Sequence, residues 1–474
     1  MVPSQRQIEL FIYRFLDWLT AAIAWFCFFS YRKNLEDPTM VFTDTFSDPR
    51  LWQGLVIIPI GWLILYAIFD KYSDIYRFSR WATLKRTFAI SLIGVILLFF
   101  TVLMDDSSFN YTTYINPFFR LFGLHFLFTA VTRMTYLTIC KKRLKAGKVK
   151  YNTLIIGGDK NAVDLYLELQ EKAYGKAHNF LGFLDSNGQS VNHMSKHLPL
   201  IGKLSDLVLI IEEMNVEEVI IAIETSEHDK LKSILDTLYD YSDKLLVKII
   251  PDMYDIMLGN VKLTHIYGAI LIEVDQEIMP RWEHMLKRLI DVFVSVVFML
   301  ILAPLYLYIA IRVKLSSEGP ILYSQERIGK NNQKFQILKF RSMNNNAEKD
   351  GPQLSHDEDP RITKWGKVMR KWRLDELPQM INVLLGEMSL VGPRPERQYY
   401  IDKIMAKAPH YKHLLKIRPG ITSWGQVKYG YASNLGQMLD RLKYDIIYLE
   451  NMSIGLDIKI LFYTVLVLFQ GKGK

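Results

Sequence analysis

Hydrophobic residues concentrate in four long runs in the first third of the chain, at about 9–30, 51–69, 87–104 and 117–140, with polar stretches between them. Each run is long enough to cross a hydrocarbon core of roughly 30 Å as a helix. The pattern therefore predicts a four-helix transmembrane bundle over residues 1–145. No small-residue cleavage site follows the first run, which reads as a retained span and not as a signal peptide. The loop 70–86 carries Lys71, Arg77, Arg80, Lys85 and Arg86, and KKRLKAGKVK follows the fourth run, whereas the 105–116 loop has Asp105 and Asp106 and no Lys or Arg. That bias places both ends of the bundle in the cytoplasm.

From residue 151 the pattern changes. YNTLIIGG reads as a buried strand entering a glycine turn, NAVDLYLELQEK as a helix, and EEVIIAI and LLVKII as further buried strands. Residues 150–265 are thus expected to form a Rossmann-like α/β domain. Its turn, with Gly157, Gly158 and Ala162, is a partial echo of the G-x-G-x-x-G dinucleotide fingerprint. A turn needed only to pack helix on strand competes with a nucleotide site there. A fifth apolar run, LIDVFVSVVFMLILAPLYLYIAI, occupies 289–311, flanked by Arg281, Lys287 and Arg288 before it and Arg312 and Lys314 after it. Cations on both sides favour export of neither flank. Pro304 removes a backbone donor and clashes with the preceding turn, so the run is expected to bend back as a re-entrant membrane helix. This third part spans 281–474 and ends in an apolar segment, ILFYTVLVLF at 460–469, that suits either an interfacial helix or core packing.

Composition agrees with a membrane chain: 50% of the 474 residues are hydrophobic and the mean hydropathy is +0.07. The +9 charge arises from Lys and Arg clustered beside apolar runs, which points to anionic lipid or anionic substrate and not to nucleic acid. Cys27 and Cys140 both lie in apolar segments, so neither a disulfide framework nor a cysteine metal site is available.

Beyond 312 the chain is polar, helical in part, and dense in short rigid motifs. Arg327, Lys339, Arg341, Arg361, Arg370, Arg373, Arg394 and Arg418 supply donors suited to phosphate oxygens, implying a multiply charged phosphate substrate. Asp375 and Glu376, followed by Leu377-Pro378-Gln379 and the apolar NVLL, sit beside a buried element and not on a free polar face. A carboxylate held near cations is available as a nucleophile or as a ligand for a hard cation such as Mg2+. In GPRPE, Pro393 and Pro395 fix the backbone around Arg394. Carboxylate, Mg2+ and rigid arginines make a phosphoryl-transfer set. No Walker lysine loop or kinase motif set accompanies them.

From about Lys287 onward the chain resembles the bacterial sugar transferases that start polysaccharide assembly, the polyprenyl-phosphate glycosyl-1-phosphate transferases of monotopic type. The resemblance rests on KRLID at 287–291, GP at 319–320, QERIG at 325–329, KFRSM at 339–343, DPRIT at 359–363, LDELPQ at 374–379, MSLVGPRP at 388–395 and PGIT at 419–422. Ala303 stands where many members have serine, and SWGQ at 423–426 replaces a common GLAQ, a change that bears on sugar choice. The resemblance implies a mainly helical monotopic catalytic domain over 281–474. It implies transfer of a sugar-1-phosphate from a UDP-sugar to undecaprenyl phosphate with release of UMP, the step that initiates exopolysaccharide, capsule or O-antigen synthesis. It further implies attack by Asp375, assistance from Glu376, Mg2+ held by both, and substrate binding by Arg327, Lys339, Arg341, Arg361, Arg370, Arg394 and Gln379. The expected setting is a bacterial inner membrane with the catalytic domain on the cytoplasmic face, in a chain that is a candidate homo-oligomer. Two rivals are a membrane-anchored nucleotide-sugar dehydratase or epimerase and a non-enzymatic membrane sensor. The first needs a full glycine fingerprint and a nearby tyrosine-lysine pair, but Tyr399 and Lys403 lie far from the α/β domain in sequence; the second leaves the 312–430 motifs without a role.

Overall fold

The computed structural model describes residues 5–36, 42–69, 72–103, 111–171, 175–186, 193–223, 228–241, 244–251, 257, 271–274, 278–344, 359–430, 432 and 434–469. Lys71, the acidic pair Asp105 and Asp106, and the GKGK tail fall outside them. The chain forms two compact units, Met1–Ile234 with Tyr241–Val274, and Leu235–Asp240 with Asp275–Lys474.

The first unit opens with helices α1 (Gln5–Glu36), α2 (Pro49–Phe69), α3 (Arg80–Leu98) and α4 (Tyr111–Lys145). Helices α1, α2 and α3 are long and apolar enough to cross a membrane. α4 packs along α1 and α3 and carries buried polar side chains into the bundle. Trp25, Phe28, Trp62 and Tyr66 fill the interior, while Val56, Ile57, Ile64 and Phe100 face outward, the inversion expected of helices solvated by lipid. Inside the bundle Arg133 donates from Nε and Nη2 to the two oxygens of Asp17, both at 2.8 Å, and from Nη1 to Thr87.

A sheet domain follows within the same unit. Its elements are β1 (Tyr151–Ile156), α5 (Lys160–Glu171), β2 (His178–Asp185), β3 (Leu200–Lys203), α6 (Leu207–Glu213), β4 (Glu218–Ile221), α7 (His228–Leu238), β5 (Leu246–Ile249) and β6 (Ile272–Glu273). The strand order is β3-β2-β1-β4-β5-β6, parallel except for β6. This is the doubly wound arrangement of a Rossmann-like domain, and β1, α5, β4 and β5 form where the hydrophobic pattern puts them. The glycine turn lies at the switch point between β1 and β4. Gly157 adopts φ +130° there, and a Cβ would stand 2.5 Å from the Ala222 carbonyl oxygen, so the close approach of two strand ends requires glycine. Ala162 is fully buried against the sheet. The opposite, amino-terminal ends of the strands meet the bundle: Arg6 pairs with Glu217 at 2.6 Å, and the Tyr151 hydroxyl donates to Asp74 at 2.7 Å.

The second unit begins with α8 (Arg281–Ile301) and α9 (Ala303–Ser316), bent by 66° at Leu302. Pro304 sits in the first turn of α9, where its missing N–H leaves no helical bond unmade. β7 (Leu322–Ile328) and β8 (Lys334–Phe340) then form an antiparallel hairpin, an addition to the partly helical segment expected from the sequence. Its turn places Asn331 and Asn332 at φ +55° and +62°, the left-handed pair a tight hairpin needs. Next come α10 (Lys364–Lys371), α11 (Gln379–Leu385), β9 (Ser389–Val391), α12 (Gln398–Met405), β10 (Gly420–Thr422), α13 (Trp424–Lys428), α14 (Leu435–Glu450) and α15 (Ile454–Phe469). Leu390, Ile401, Tyr411, Leu442, Tyr448 and Ile460 form the principal core. Lys287 on α8 donates to Asp457 on α15 at 2.5 Å, and Asp457 also accepts from Tyr448, so a buried polar link fixes α8 against the last two helices. One face of α15 is therefore core, while Ile458, Phe462, Val465 and Leu466 stay exposed.

Candidate active site

Asp375 and Glu376 lie in a single 3-10 turn, Leu374–Glu376, wedged between α10 and α11. Arg373 adopts φ +53° to start that turn, a left-handed conformation that a non-glycine residue holds only where its surroundings enforce it. Pro378 then begins α11. The Tyr306 hydroxyl on α9 donates to the Leu377 carbonyl at 2.7 Å and ties the carboxylate turn to the helix after the bend.

Both carboxylates are buried, Asp375 with 7% and Glu376 with 8% of its surface exposed, and cations from four segments converge on them. Lys339 on β8 donates to Glu376 Oε1 at 2.9 Å, Arg373 stands 3.5 Å from Oε2, and Arg394 stands 3.8 Å from Oε1. Arg370 on α10 acts on Asp375. Burial alone raises a carboxyl pKa, but at Glu376 the charges of Lys339, Arg394 and Arg373 outweigh it and hold the group well below the usual range. At Asp375 burial and the Glu376 charge prevail over Lys339 and Arg370, so its pKa is raised. One carboxylate is pinned as an anion among cations, and its neighbour is left the more basic of the two.

The framework behind these side chains is made from backbone. Asn382 accepts from Leu338 N and donates to the Gln336 carbonyl and to Glu387, clamping β8, and hence Lys339, to α11. Arg394 lies between two anchored prolines: Pro393 accepts from Gly420 N at 2.9 Å and Pro395 accepts from Arg327 at 3.1 Å. Here the GPRP and RPGIT segments touch, since a Cβ on Gly420 would stand 2.1 Å from Gly392 N.

Of the residues expected at the site, Asp375, Glu376, Lys339, Arg370 and Arg394 are brought together, with Gln379 buried at the first position of α11. The others hold the frame. Arg327 bonds Pro395, Glu396 and Gln325; Arg341 donates to the Ser317 and Val313 carbonyls at the end of α9; Arg361 forms a two-point pair with Asp359 at 2.5 and 2.8 Å. Arg418 donates to the Gly386 carbonyl. Tyr306 and Asn382 were not anticipated. Nothing in an isolated tyrosine or asparagine signals a long-range backbone contact, although Asn382 inside an apolar helix is a polar group that needs partners. A third buried group connects the SWGQ segment: Asp445 accepts from Gly425 N and pairs with Arg441, which in turn donates to Glu396 at 2.6 Å. Burial pushes Asp445 up to about 6 despite Arg441.

Comparison with known proteins bears directly on this constellation. A family model described as bacterial sugar transferase matches residues 282–471, from the start of α8 through α15, and one described as CoA-binding domain matches residues 69–250. A UDP-glucose:undecaprenyl-phosphate glucose-1-phosphate transferase of Caulobacter vibrioides is 39% identical over 183 residues, covering 38% of this chain and 68% of that protein. The chain belongs to the bacterial sugar transferase family. Among other sugar transferases, a UDP-N-acetylgalactosamine-undecaprenyl-phosphate N-acetylgalactosaminephosphotransferase of Aeromonas hydrophila is 39% identical over 225 residues, 47% of this chain and about half, 52%, of its own length. An undecaprenyl-phosphate galactose phosphotransferase of Salmonella typhimurium is 28% identical over 440 residues, 88% of this chain and 87% of that protein. The carboxylate turn, the hairpin lysine and the GPRP arginine all lie within the matched sugar transferase segment.

Proposed function

We propose that this sugar transferase moves a sugar-1-phosphate from a UDP-sugar to undecaprenyl phosphate, releasing UMP and starting the synthesis of a surface polysaccharide. The observation that carries the reading is the buried Asp375–Glu376 turn with Lys339, Arg370, Arg373 and Arg394 directed at it. The names of the relatives support the substrates. An Asp375 carboxylate oxygen attacks the phosphorus that bears the sugar; the bond from that phosphorus to the bridging oxygen breaks, and UMP leaves with the electron pair. The resulting acyl phosphate is then attacked at the same phosphorus by an oxygen of undecaprenyl phosphate, which frees the Asp375 carboxylate. Two half-reactions let a water-soluble donor and a lipid acceptor use one site in turn. The cationic ring offsets the charge of the diphosphate and of the transition state.

Asp375 and Glu376 also suit Mg2+, which takes one or two carboxylates and completes its shell with water and substrate phosphate oxygens. Bound there, Mg2+ would supply charge neutralisation at the diphosphate.

The bent pair α8–α9 supports a re-entrant element that enters and leaves the membrane by the cytoplasmic face, with α1–α4 as four spans. Purified protein mixed with a panel of UDP-sugars is expected to release at most one equivalent of UMP per enzyme without acceptor, and to turn over continuously only when undecaprenyl phosphate is present. A UDP-sugar labelled in the sugar-linked phosphate should leave label on wild type and none on Asp375→Asn. Label transfer by Asp375→Asn would reject Asp375 as nucleophile, and no UMP from any sugar would reject the activity.

A further inference from the structure

The second unit contains a cleft of about 680 Å³ between the end of α9 and the start of α10, lined by Arg312, Leu315, Ser316, Asn344, Thr363, Lys364, Trp365 and Val368. Arg312 and Lys364 are its charged residues, and none of the described residues that line it is acidic. The Arg312 guanidinium lies 4.7 Å over the Trp365 ring, which holds it at the rim. Trp365 Nε1 is buried and has no acceptor among the described residues. Arg341, itself only 5% exposed, donates from Nη2 to the carbonyls of Val313 and Ser317 at this end of α9, yet its Nε and Nη1 have no acceptor among the described residues. Two cations thus line a cleft whose described lining residues include no acidic side chain, and beside them stands an indole donor with no acceptor among the described residues.

Ser316, Asn344 and Thr363 add neutral polar groups to the lining, and Leu315 and Val368 give it an apolar side. Leu315 and Val368 are exposed, and Ile311, one turn before Leu315, continues the apolar surface along α9. The cleft therefore joins a phosphate-binding chemistry to a surface suited to hydrocarbon. It is also set apart from the carboxylate turn. Lys364, Trp365 and Val368 share one face of α10, whereas Arg370, whose charge acts on Asp375, comes five positions after Trp365 and so about 140° around the helix.

We infer that this cleft is a second lipid site, which takes the phosphate of an anionic glycerophospholipid through Arg312, Lys364 and Trp365 Nε1 and lays its acyl chains along Ile311, Leu315 and Val368. The inference rests on the reading of α8–α9 as an element seated in the membrane. A lipid held there braces α9 against α10, the two helices on either side of the cleft. Tyr306 on α9 and Arg370 on α10 both reach the carboxylate turn.

The test reads lipid retention and not turnover. Full-length protein reconstituted in nanodiscs of equal phosphatidylcholine and phosphatidylglycerol, then released into detergent, is weighed intact by native mass spectrometry. Wild type and Asp375→Asn should retain phosphatidylglycerol alike, because the dyad takes no part in the cleft. Arg312→Gln/Lys364→Gln should lose retention about thirty-fold, since each of the two cations near a membrane surface contributes on the order of 1 kcal/mol to anionic lipid binding. Trp365→Phe keeps the ring, removes the donor and should show an intermediate loss, which covers the case of a double variant that fails to fold. Equal retention in wild type and in folded variants would overturn the site. So would displacement of the retained lipid by one equivalent of undecaprenyl phosphate, which would make the cleft part of the acceptor site. Binding of inorganic phosphate with no preference for phosphatidylglycerol over phosphatidylcholine would overturn it as well.

Discussion

Lys339 Nζ lies 2.9 Å from Glu376 Oε1, reaching it from a hairpin strand 37 residues earlier in the chain. With Arg373 and Arg394 on the same carboxylate, the pair makes Glu376 a fixed anion and leaves Asp375 beside it with a raised pKa. A more basic carboxylate is the better nucleophile once ionised. Adjacent residues of one type thus receive different properties from their surroundings.

Asp375→Asn should lower sugar-phosphate transfer by about 10³-fold or more while leaving the fold intact, because the amide matches the carboxylate in size but cannot attack as an anion. Glu376→Gln should cost about 10²-fold and should also move the acid limb of kcat/KM. Asp375 acts when ionised, so activity falls as pH drops through its raised pKa. Removing the neighbouring negative charge, and freeing three cations, lowers that pKa and shifts the limb to lower pH. A limb that stays in place or moves upward in Glu376→Gln would show that Asp375 does not set it.

Asp445 makes a stability prediction of the opposite kind. Its pKa of about 6 in the folded chain lies above the ordinary carboxyl value near 4. Stabilisation by its protonated form is complete below the unfolded pKa and is lost as pH rises through the folded one. Asp445→Asn keeps an acceptor for Gly425 N and should raise stability by about 1–3 kcal/mol at pH 7.5, a gain that shrinks below pH 6 and vanishes below about pH 4. Thermal unfolding of both proteins at the two ends of this range measures it. Loss of stability at pH 7.5 would mean that the Arg441 contact needs the charge.

The hydrophobic pattern was enough for the strands β1, β4 and β5, for α5 and for the bend at Pro304, because periodicity and proline act locally. The order of the motifs likewise brought Asp375, Glu376 and Arg394 into one site. What the sequence does not carry is the destination of each arginine. Arg327, Arg341, Arg361 and Arg418 look the same in the chain as Arg370 and Arg394, yet they bond carbonyls or carboxylates of the frame. Which arginine meets a free carbonyl depends on the tertiary path, as it does for Asn382 and Tyr306. The β7–β8 hairpin was obscured for another reason: it has charged and amide residues on a strand with little burial, and its turn depends on two asparagines in place of glycine.

Within the helical bundle, Asp17 and Arg133 are each no more than 2% exposed and are joined by two hydrogen bonds of 2.8 Å. Removing one partner leaves an uncompensated charge, whereas removing both removes the desolvation cost as well. Asp17→Leu alone should destabilise the detergent-solubilised chain by about 3–5 kcal/mol. Asp17→Leu with Arg133→Met should recover most of that loss. A double variant as unstable as the single one would show that the Thr87 bond of Arg133 and its guanidinium lying 3.9 Å over the Tyr66 ring, and not charge pairing, hold the bundle.

The bend at Leu302 makes the most demanding prediction, since it concerns the side of the membrane on which the carboxylate turn stands. Continued as one rod, α8 and α9 would run through 36 residues from Arg281 to Ser316, a length of about 54 Å, more than enough to cross a hydrocarbon core of roughly 30 Å. The 66° bend breaks that rod into two arms, with Pro304 in the first turn of the second and Tyr306 held by the Leu377 carbonyl. Replacing Ala303 and Pro304 with leucine restores the missing donor and favours the straight rod. Arg312 and Lys314 oppose translocation of the following segment, so the expected outcome is a mixture of orientations with transfer activity reduced in proportion. A cysteine introduced at Lys334, an exposed position of the hairpin, reports the side. Labelled from outside intact cells, it should be protected in the parent sequence and partly reactive in the leucine variant. Strong labelling in the parent sequence would put the hairpin outside the cell, remove the site from UDP-sugars made in the cytoplasm, and refute the re-entrant arrangement.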